Sequence, residues 1–215
     1  MKLESVGILI GLRPLNERDA VAQIFTRDFG VMMGVMRGAV IAKKNKPLVG
    51  QVGTMSWNAR LDTQLGTFHW EADKNLSVPL MSATGKLIAM NSAFSLIGTL
   101  LPERESYAEL YDNTLSMLAG LVTDNDSYLL WEVNLLRELG YALDLGKCSG
   151  CGATQALNYL SPRTGRAVCD ACAQPYLDKL YRLPVSLGVT FRFLENVCLQ
   201  QGTQIPHVRR LLKFD

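Results

Sequence analysis

Over the first 75 residues, apolar positions come in short runs separated by charge or turn residues. "SVGILIGLR" is apolar and bounded by charge. "DAVAQIFTRDFGVMMGVMRG" predicts two strands joined by a turn at Asp28-Phe29-Gly30, where glycine can take a positive φ. "VGTMSWNARL" puts Met55, Trp57 and Ala59 on one side, and "LGTFHWEAD" does the same with Phe68 and Trp70. Five strands in so short a run, with no helix between them, are too few for a sandwich. They suit a small closed barrel of the OB type, with an SH3-like barrel as the competitor.

After "LSVPL" the period changes to three and four. Leu87, Ile88, Met90, Phe94, Ile97 and Leu101 predict a helix that Pro102 stops. "SYAELYDNTLSMLAGLV" predicts a second helix, and "SYLLWEVNLLRELGY" a third with Gly140 as its C-cap. "LPVSLGVTFRFLENVCLQQ" and "IPHVRRLLKF" read as further helix. The expected class is α+β: a five-stranded OB-type barrel domain over residues 1–76, then an α-helical domain over 77–215 with a cysteine-bearing insert at 146–174.

Composition bounds the picture. The chain has 215 residues, 48% hydrophobic and 20% charged, which is ordinary globular usage. Five cysteines are too few for a disulfide scaffold. Met1 to Gly11 lacks the charged-then-apolar pattern of a secretory leader, and no apolar run reaches the ~20 residues of a membrane span. The expectation is a soluble cytoplasmic protein with reduced thiols and no membrane contact. The net charge of +2 conceals an uneven spread: +3 over residues 1–75, −5 over 76–147 and +4 over 148–215.

Four of the cysteines lie in "CSGCGATQALNYLSPRTGRAVCDAC" as two C-x-x-C pairs 17 residues apart. That spacing reads as a four-thiolate zinc site formed by Cys148, Cys151, Cys169 and Cys172. Such a site is structural, one ion per chain, because four thiolates leave no position for water or substrate. The redox alternative fits poorly, since C-x-x-C redox motifs occur singly at a helix N-terminus. Cys198 falls in an apolar helical pattern and reads as a small buried residue.

Motifs of catalysis are missing. The two histidines, His69 and His207, sit in no catalytic pattern, "SATGKL" lacks the phosphate-loop glycine and hydroxyl, and no G-x-S-x-G, H-E-x-x-H or G-x-G-x-x-G occurs. The sequence argues against an enzyme. Glu103, Glu105, Glu109 and Asp112 read as a solvated helix face. Between Phe29 and Leu61 there are five basic residues and no acidic one: Arg37, Lys43, Lys44, Lys46 and Arg60. A lysine loop on a barrel can track a phosphate backbone, with Trp57, Phe68 and Trp70 as candidate stacking platforms. The tail "HVRRLLKF" offers a second basic spot. The bland reading is a solvated turn and core aromatics.

In this order the parts resemble the RecO family of bacterial recombination mediators. The resemblance covers nearly the whole chain: "GILIGLRPLNERDAVAQIFTRDFGVMMGVMRG" with Gly7, Arg13, Glu17, Asp19, Thr26, Gly30 and Gly38, then "WNARLDTQLGTF", then "YLSPRTGRAVCDAC". It implies an OB barrel followed by a helical domain carrying a zinc element. It implies binding of single- and double-stranded DNA, ATP-free strand annealing, and help in loading the RecA recombinase onto DNA coated by single-stranded DNA-binding protein, together with RecR, in the cytoplasm at the nucleoid. Arg13, Arg37 and Lys43 to Lys46 match regions where the family places basic residues. The other reading is a zinc-bearing protein–protein adaptor with incidental DNA contact.

Overall fold

A computed structural model describes residues 1–61, 65–124 and 126–212. Contacts group the chain into two compact units: Met1–Tyr128 with Pro206–Leu212, and Leu129–Ile205.

The first unit opens with five strands: β1 (Lys2–Pro14), β2 (Ala20–Thr26), β3 (Gly30–Met36), β4 (Gln51–Asn58) and β5 (Gly66–Asn75). They close into a barrel in the order β1-β2-β3-β5-β4, with β3 and β5 parallel and the other pairs antiparallel. β1 runs beyond the predicted "SVGILIGLR" at both ends because it serves two neighbours. Its first half, Lys2 to Ile8, pairs with β4, and its second half, Gly7 to Pro14, pairs with β2. One long shared strand therefore removes both sheet edges. An irregularity between Leu9 and Gly11 bends it.

The alternation is realised inside the barrel. Leu9, Ile24, Met32, Met55, Trp57 and Phe68 form its core. Each such side chain contributes about 1.5–3 kcal/mol relative to exposure, so the barrel is stabilised by its own packing. Trp57 is fully buried, and its Nε1–H donates to the Met33 carbonyl at 3.0 Å. The Arg104 guanidinium lies over the Trp57 ring at 4.7 Å. Gly30 has φ +63°, as the predicted turn requires, and a Cβ there would overlap the Glu105 carbonyl oxygen.

Helices α1 (Thr84–Leu100) and α2 (Ala108–Gly120) complete this unit. Met90, Ala93, Phe94, Ile97 and Leu100 form the buried side of α1, the spacing of one helical face. On that side Gln23 of β2 donates to the Gly98 carbonyl at 3.5 Å. The four carboxylates expected on one helix face are divided. Glu103 and Glu105 lie in the connection before α2, where Glu103 bridges Val31, and only Glu109 and Asp112 are on the helix. Asp112 takes a bidentate contact from Arg27 at 3.1–3.2 Å. Pro102 is the reason: it ends α1 early and leaves an extended connection.

α3 (Asp126–Glu138) contains the boundary between the units. It ends as expected at Gly140, which has φ +86°. The second unit continues with β6 (Tyr159–Leu160), β7 (Ala167–Val168), α4 (Asp170–Ala173), β8 (Tyr181–Arg182) and α5 (Leu187–Gln200). The three short strands form a sheet in the order β7-β6-β8. Within this unit the buried Thr190 hydroxyl donates to Glu132 at 2.5 Å. Cys198 is buried in α5, as its apolar pattern predicts.

The predicted tail helix shrinks to α6 (His207–Arg210), in the first unit. Its basic spot is largely withdrawn. Arg209 is fully buried with its guanidinium 5.8 Å from the Tyr128 ring, and Arg210 is exposed. Lys213 and Phe214 lie outside the described residues. Among the described residues, no helix is long and apolar enough to cross a membrane.

Candidate metal centre and nucleic-acid interface

The two cysteine pairs are built differently. The first is a loop knuckle: Cys148 N–H donates to the Ala153 carbonyl at 2.7 Å, and Gly152, at φ +76°, returns its N–H to the Cys148 carbonyl at 2.9 Å. The second sits at the start of α4, where Cys169 is the N-cap and Ala173 N–H reaches its carbonyl at 2.9 Å. The β6–β7 hairpin joins them, and Ser149 N–H donates to the Ala167 carbonyl at 2.9 Å. Asn158 holds both carboxylate oxygens of Asp170 at 2.9–3.0 Å, which ties the loop to the α4 N-terminus.

These ties gather all four sulfurs within 4.8 Å of one another. Cys151 and Cys169 Sγ are 3.6 Å apart. A tetrahedron of ~2.3 Å metal–sulfur bonds has edges of about 3.8 Å, so the donor set fits one tetrahedral ion. The electrostatics agree. Backbone N–H groups of Cys169, Cys151 and Gly150 bring the Cys148 thiol down to about 6, whereas the neighbouring sulfurs of Cys151, Cys169 and Cys148 push Cys172 up to about 12. Four clustered thiols cannot all ionise alone; a divalent cation at their centre removes that conflict. The four cysteines can therefore hold a metal ion.

Packing shows what the ion would supply. The element's buried cluster is Cys148, Val168, Cys169 and Ala173, fringed by Leu157, Tyr159 and Leu180. Four buried apolar side chains, Leu160, Ala167, Val168 and Ala173, contribute several kcal/mol, while ordering each residue of the loop costs about 1–2 kcal/mol. Packing alone falls well short.

The six basic residues singled out from the sequence, Arg13, Arg37, Lys43, Lys44, Lys46 and Arg60, occupy three places on the barrel. Arg13 lies near the end of β1 opposite Val21, which pairs across β2 with Val35. Arg37 follows β3, so it and Arg13 flank the same end of β2. Arg60 stands apart, just past β4. Lys43, Lys44 and Lys46 are exposed on the long β3–β4 loop, around Asn45 with φ +51°. Ala39 and Val40, the first half of the apolar "AVIA", are the loop's anchor: Ala39 is buried in the barrel core with Val40 against it, and Val40 N–H donates to the Arg18 carbonyl at 3.0 Å, whereas Ile41 is exposed. Asp19 fixes the entry, its Oδ1 accepting the Gly38 N–H at 2.8 Å. Gln51 fixes the exit, holding the Lys46 carbonyl at 3.2 Å and accepting the Leu48 N–H at 3.0 Å.

A cleft of about 170 Å³ opens here, lined by Arg37, Asn45, Pro47, Phe68, His69 and Trp70. Of the three candidate platforms, Trp57 and Phe68 belong to the core and only Trp70 is partly exposed, its Nε1 bound to Gln51 at 3.2 Å. His69 is exposed beside Glu71 at 3.1 Å. Two cations near the cysteine cluster, Arg163 and Lys179, were not singled out from the sequence. They are 16 residues apart, and only the hairpin brings them to one cavity. No local pattern marks such a pair.

A closed OB-type barrel with an anchored lysine loop, followed by helices and a four-cysteine element that can hold a metal ion, defines a class of OB-barrel proteins with a cysteine-bearing helical part. Comparison with known sequences narrows this. The family model described as "Recombination protein O N terminal" matches residues 1–72, and "Recombination protein O C terminal" matches residues 81–211. The chain belongs to the RecO family. It is similar to the DNA repair protein RecO of Jannaschia sp., with 40% identity over 196 residues covering 89% of this chain and 80% of the relative. The corresponding protein of Ruegeria sp. is 38% identical, with 83% and 76% covered. A RecO of Cereibacter sphaeroides is 34% identical, with 96% and 94% covered.

Proposed function

We propose that this chain serves DNA repair and recombination as a mediator that does no bond chemistry. It binds single- and double-stranded DNA through the rim of its barrel and anneals complementary strands without ATP. With RecR, it helps load RecA onto DNA coated by single-stranded DNA-binding protein. The observation that carries the reading is the lysine loop. Near its start, Ala39 and Val40 pack into the barrel core and both its ends are clamped, so Lys43, Lys44 and Lys46 are presented to solvent next to Arg37 and Trp70. Each phosphate it neutralises releases condensed counterions. Two strands repel through their phosphates, so a cationic surface that leaves base edges free speeds their pairing. Cys148, Cys151, Cys169 and Cys172 would hold one zinc ion, whose role is to stabilise the loop between them.

A second reading is a protein-binding adaptor. It is favoured by a cavity of about 510 Å³ in the second unit, lined among others by Tyr141, Asn196, Leu199 and Phe193. Leu199 is 69% exposed there. The deciding measurement is binding of fluorescent single-stranded DNA across a salt series, with annealing of two complementary strands followed in the same samples. Binding that weakens steeply with salt, with annealing in the absence of ATP, is expected. No binding at low salt overturns the DNA reading and leaves the adaptor.

A further inference from the structure

Beside the four-cysteine cluster lies a cavity of about 440 Å³, inside the second unit. Its volume falls within the range of small-ligand sites, about 300–1,000 Å³. Val168, Leu180 and Pro162 supply an apolar lining, and Tyr176 is 55% exposed at its edge. Arg163, from the β6–β7 turn, and Lys179 are the charged residues that line it, both exposed, and no carboxylate does. Neither cation makes a side-chain ion pair or hydrogen bond among the described residues.

We infer that this cleft is a second single-strand subsite, in which a nucleobase stacks on Tyr176 over the apolar floor while the flanking phosphates meet Arg163 and Lys179. The inference rests on the DNA-binding reading above and adds to it a site separate from the barrel rim. The arrangement sorts a nucleotide by its parts. Cys172 is one of the lining residues, and a metal bound by four thiolates would carry net negative charge. A phosphate is therefore repelled from the floor and held at the rim, whereas an uncharged base is accepted by the floor. Stacking on an exposed ring tolerates any base, which suits a protein that must hold strands of arbitrary sequence. Annealing joins two strands, and a chain with one strand site on the barrel loop and another on this element can hold both.

The test uses the full, metal-loaded chain and an oligothymidine carrying 5-iodouracil, cross-linked by light and mapped by mass spectrometry. Adducts are expected at Tyr176 as well as on the barrel. Tyr176→Leu keeps the apolar lining, removes the ring, and should lower annealing about tenfold. Arg163→Gln with Lys179→Gln should reduce the magnitude of the salt slope by about 1.4, two single-strand phosphate contacts. Both variants should retain about one metal ion per chain, which separates lost contact from lost folding. Adducts confined to the barrel, with an unchanged slope in a wild type that still anneals, overturn the inference and spare the DNA-binding reading. Adducts at Tyr176 that are blocked by an acidic, phenylalanine-bearing peptide but not by unlabelled oligothymidine assign the cleft to a protein partner and overturn it too. A wild type that binds no DNA overturns both.

Discussion

Asp19 shows how much of the lysine loop's placement depends on one carboxylate. It sits in the β1–β2 turn, where Asn16 Oδ1 accepts the N–H groups of Arg18 and Asp19 at 2.7–2.8 Å. Its own Oδ1 accepts the Gly38 N–H, at φ +69° the first turn of the lysine loop. That N–H, with Asn16 next, holds the Asp19 carboxyl below its ordinary 3.8. A carboxylate with a lowered folded pKa contributes stability that is complete above the unfolded value and is lost as pH falls through the folded one. Asp19→Asn keeps an acceptor but not the charge. The variant should unfold at lower urea than wild type at pH 7, and the two midpoints should converge as pH drops below 3.8. Equal midpoints at pH 7 would show that the turn does not depend on the charge. The residue is only partly buried, so the effect is small and salt-sensitive.

Among the elements, the barrel and the cysteine loop differ in what stabilises them. β1 to β5 enclose a core of large apolar side chains and need no ion. The loop between Cys148 and Cys172 buries only a few apolar side chains, Leu160, Ala167 and Val168, and metal binding by a structural four-thiolate site would supply on the order of 10 kcal/mol. Chelation should release about one ion per chain. It should also expose the amides of β6 and β7 to hydrogen exchange while those of β1 to β5 stay protected. An unchanged melting temperature and unchanged exchange after chelation would rule out a structural metal. Acid should act in the same direction as chelation, because the thiols must lose their protons to bind a metal. This contrast was legible in the sequence where local patterns carried it. Alternating residues such as Met55 and Trp57 gave the barrel, and C-x-x-C spacing gave the four-cysteine cluster. What escaped depended on distant partners. Nothing near Arg209 says that it is buried over Tyr128, and nothing near Glu103 says that it pairs with Val31. The cleft flanked by Arg163 and Lys179 exists only once the hairpin has folded.

For the whole molecule, the net charge of +2 is a poor guide to how it meets a polyanion, because the charge is segregated along the chain. The stretch 76–147 is acidic, whereas Phe29 to Leu61 has no acidic residue and presents its lysines on a clamped loop. Affinity for DNA should therefore track the local patch and not the total. Replacing Lys43, Lys44 and Lys46 together by alanine turns the net charge from +2 to −1. All three side chains are exposed and outside the barrel core, so folding should be untouched. If each lysine meets one phosphate, the magnitude of the single-strand salt slope should fall by about 2, since each contact contributes about 0.7. Binding should weaken alike for all sequences, because backbone contacts carry no base information. The control is a charge-matched variant with three acidic residues placed elsewhere on the exposed surface, which reaches the same −1 with the loop intact. If that control loses as much slope as the loop variant, total charge sets the affinity and the loop has no special role. If only the loop variant does, the anchored β3–β4 segment is where the strand is held.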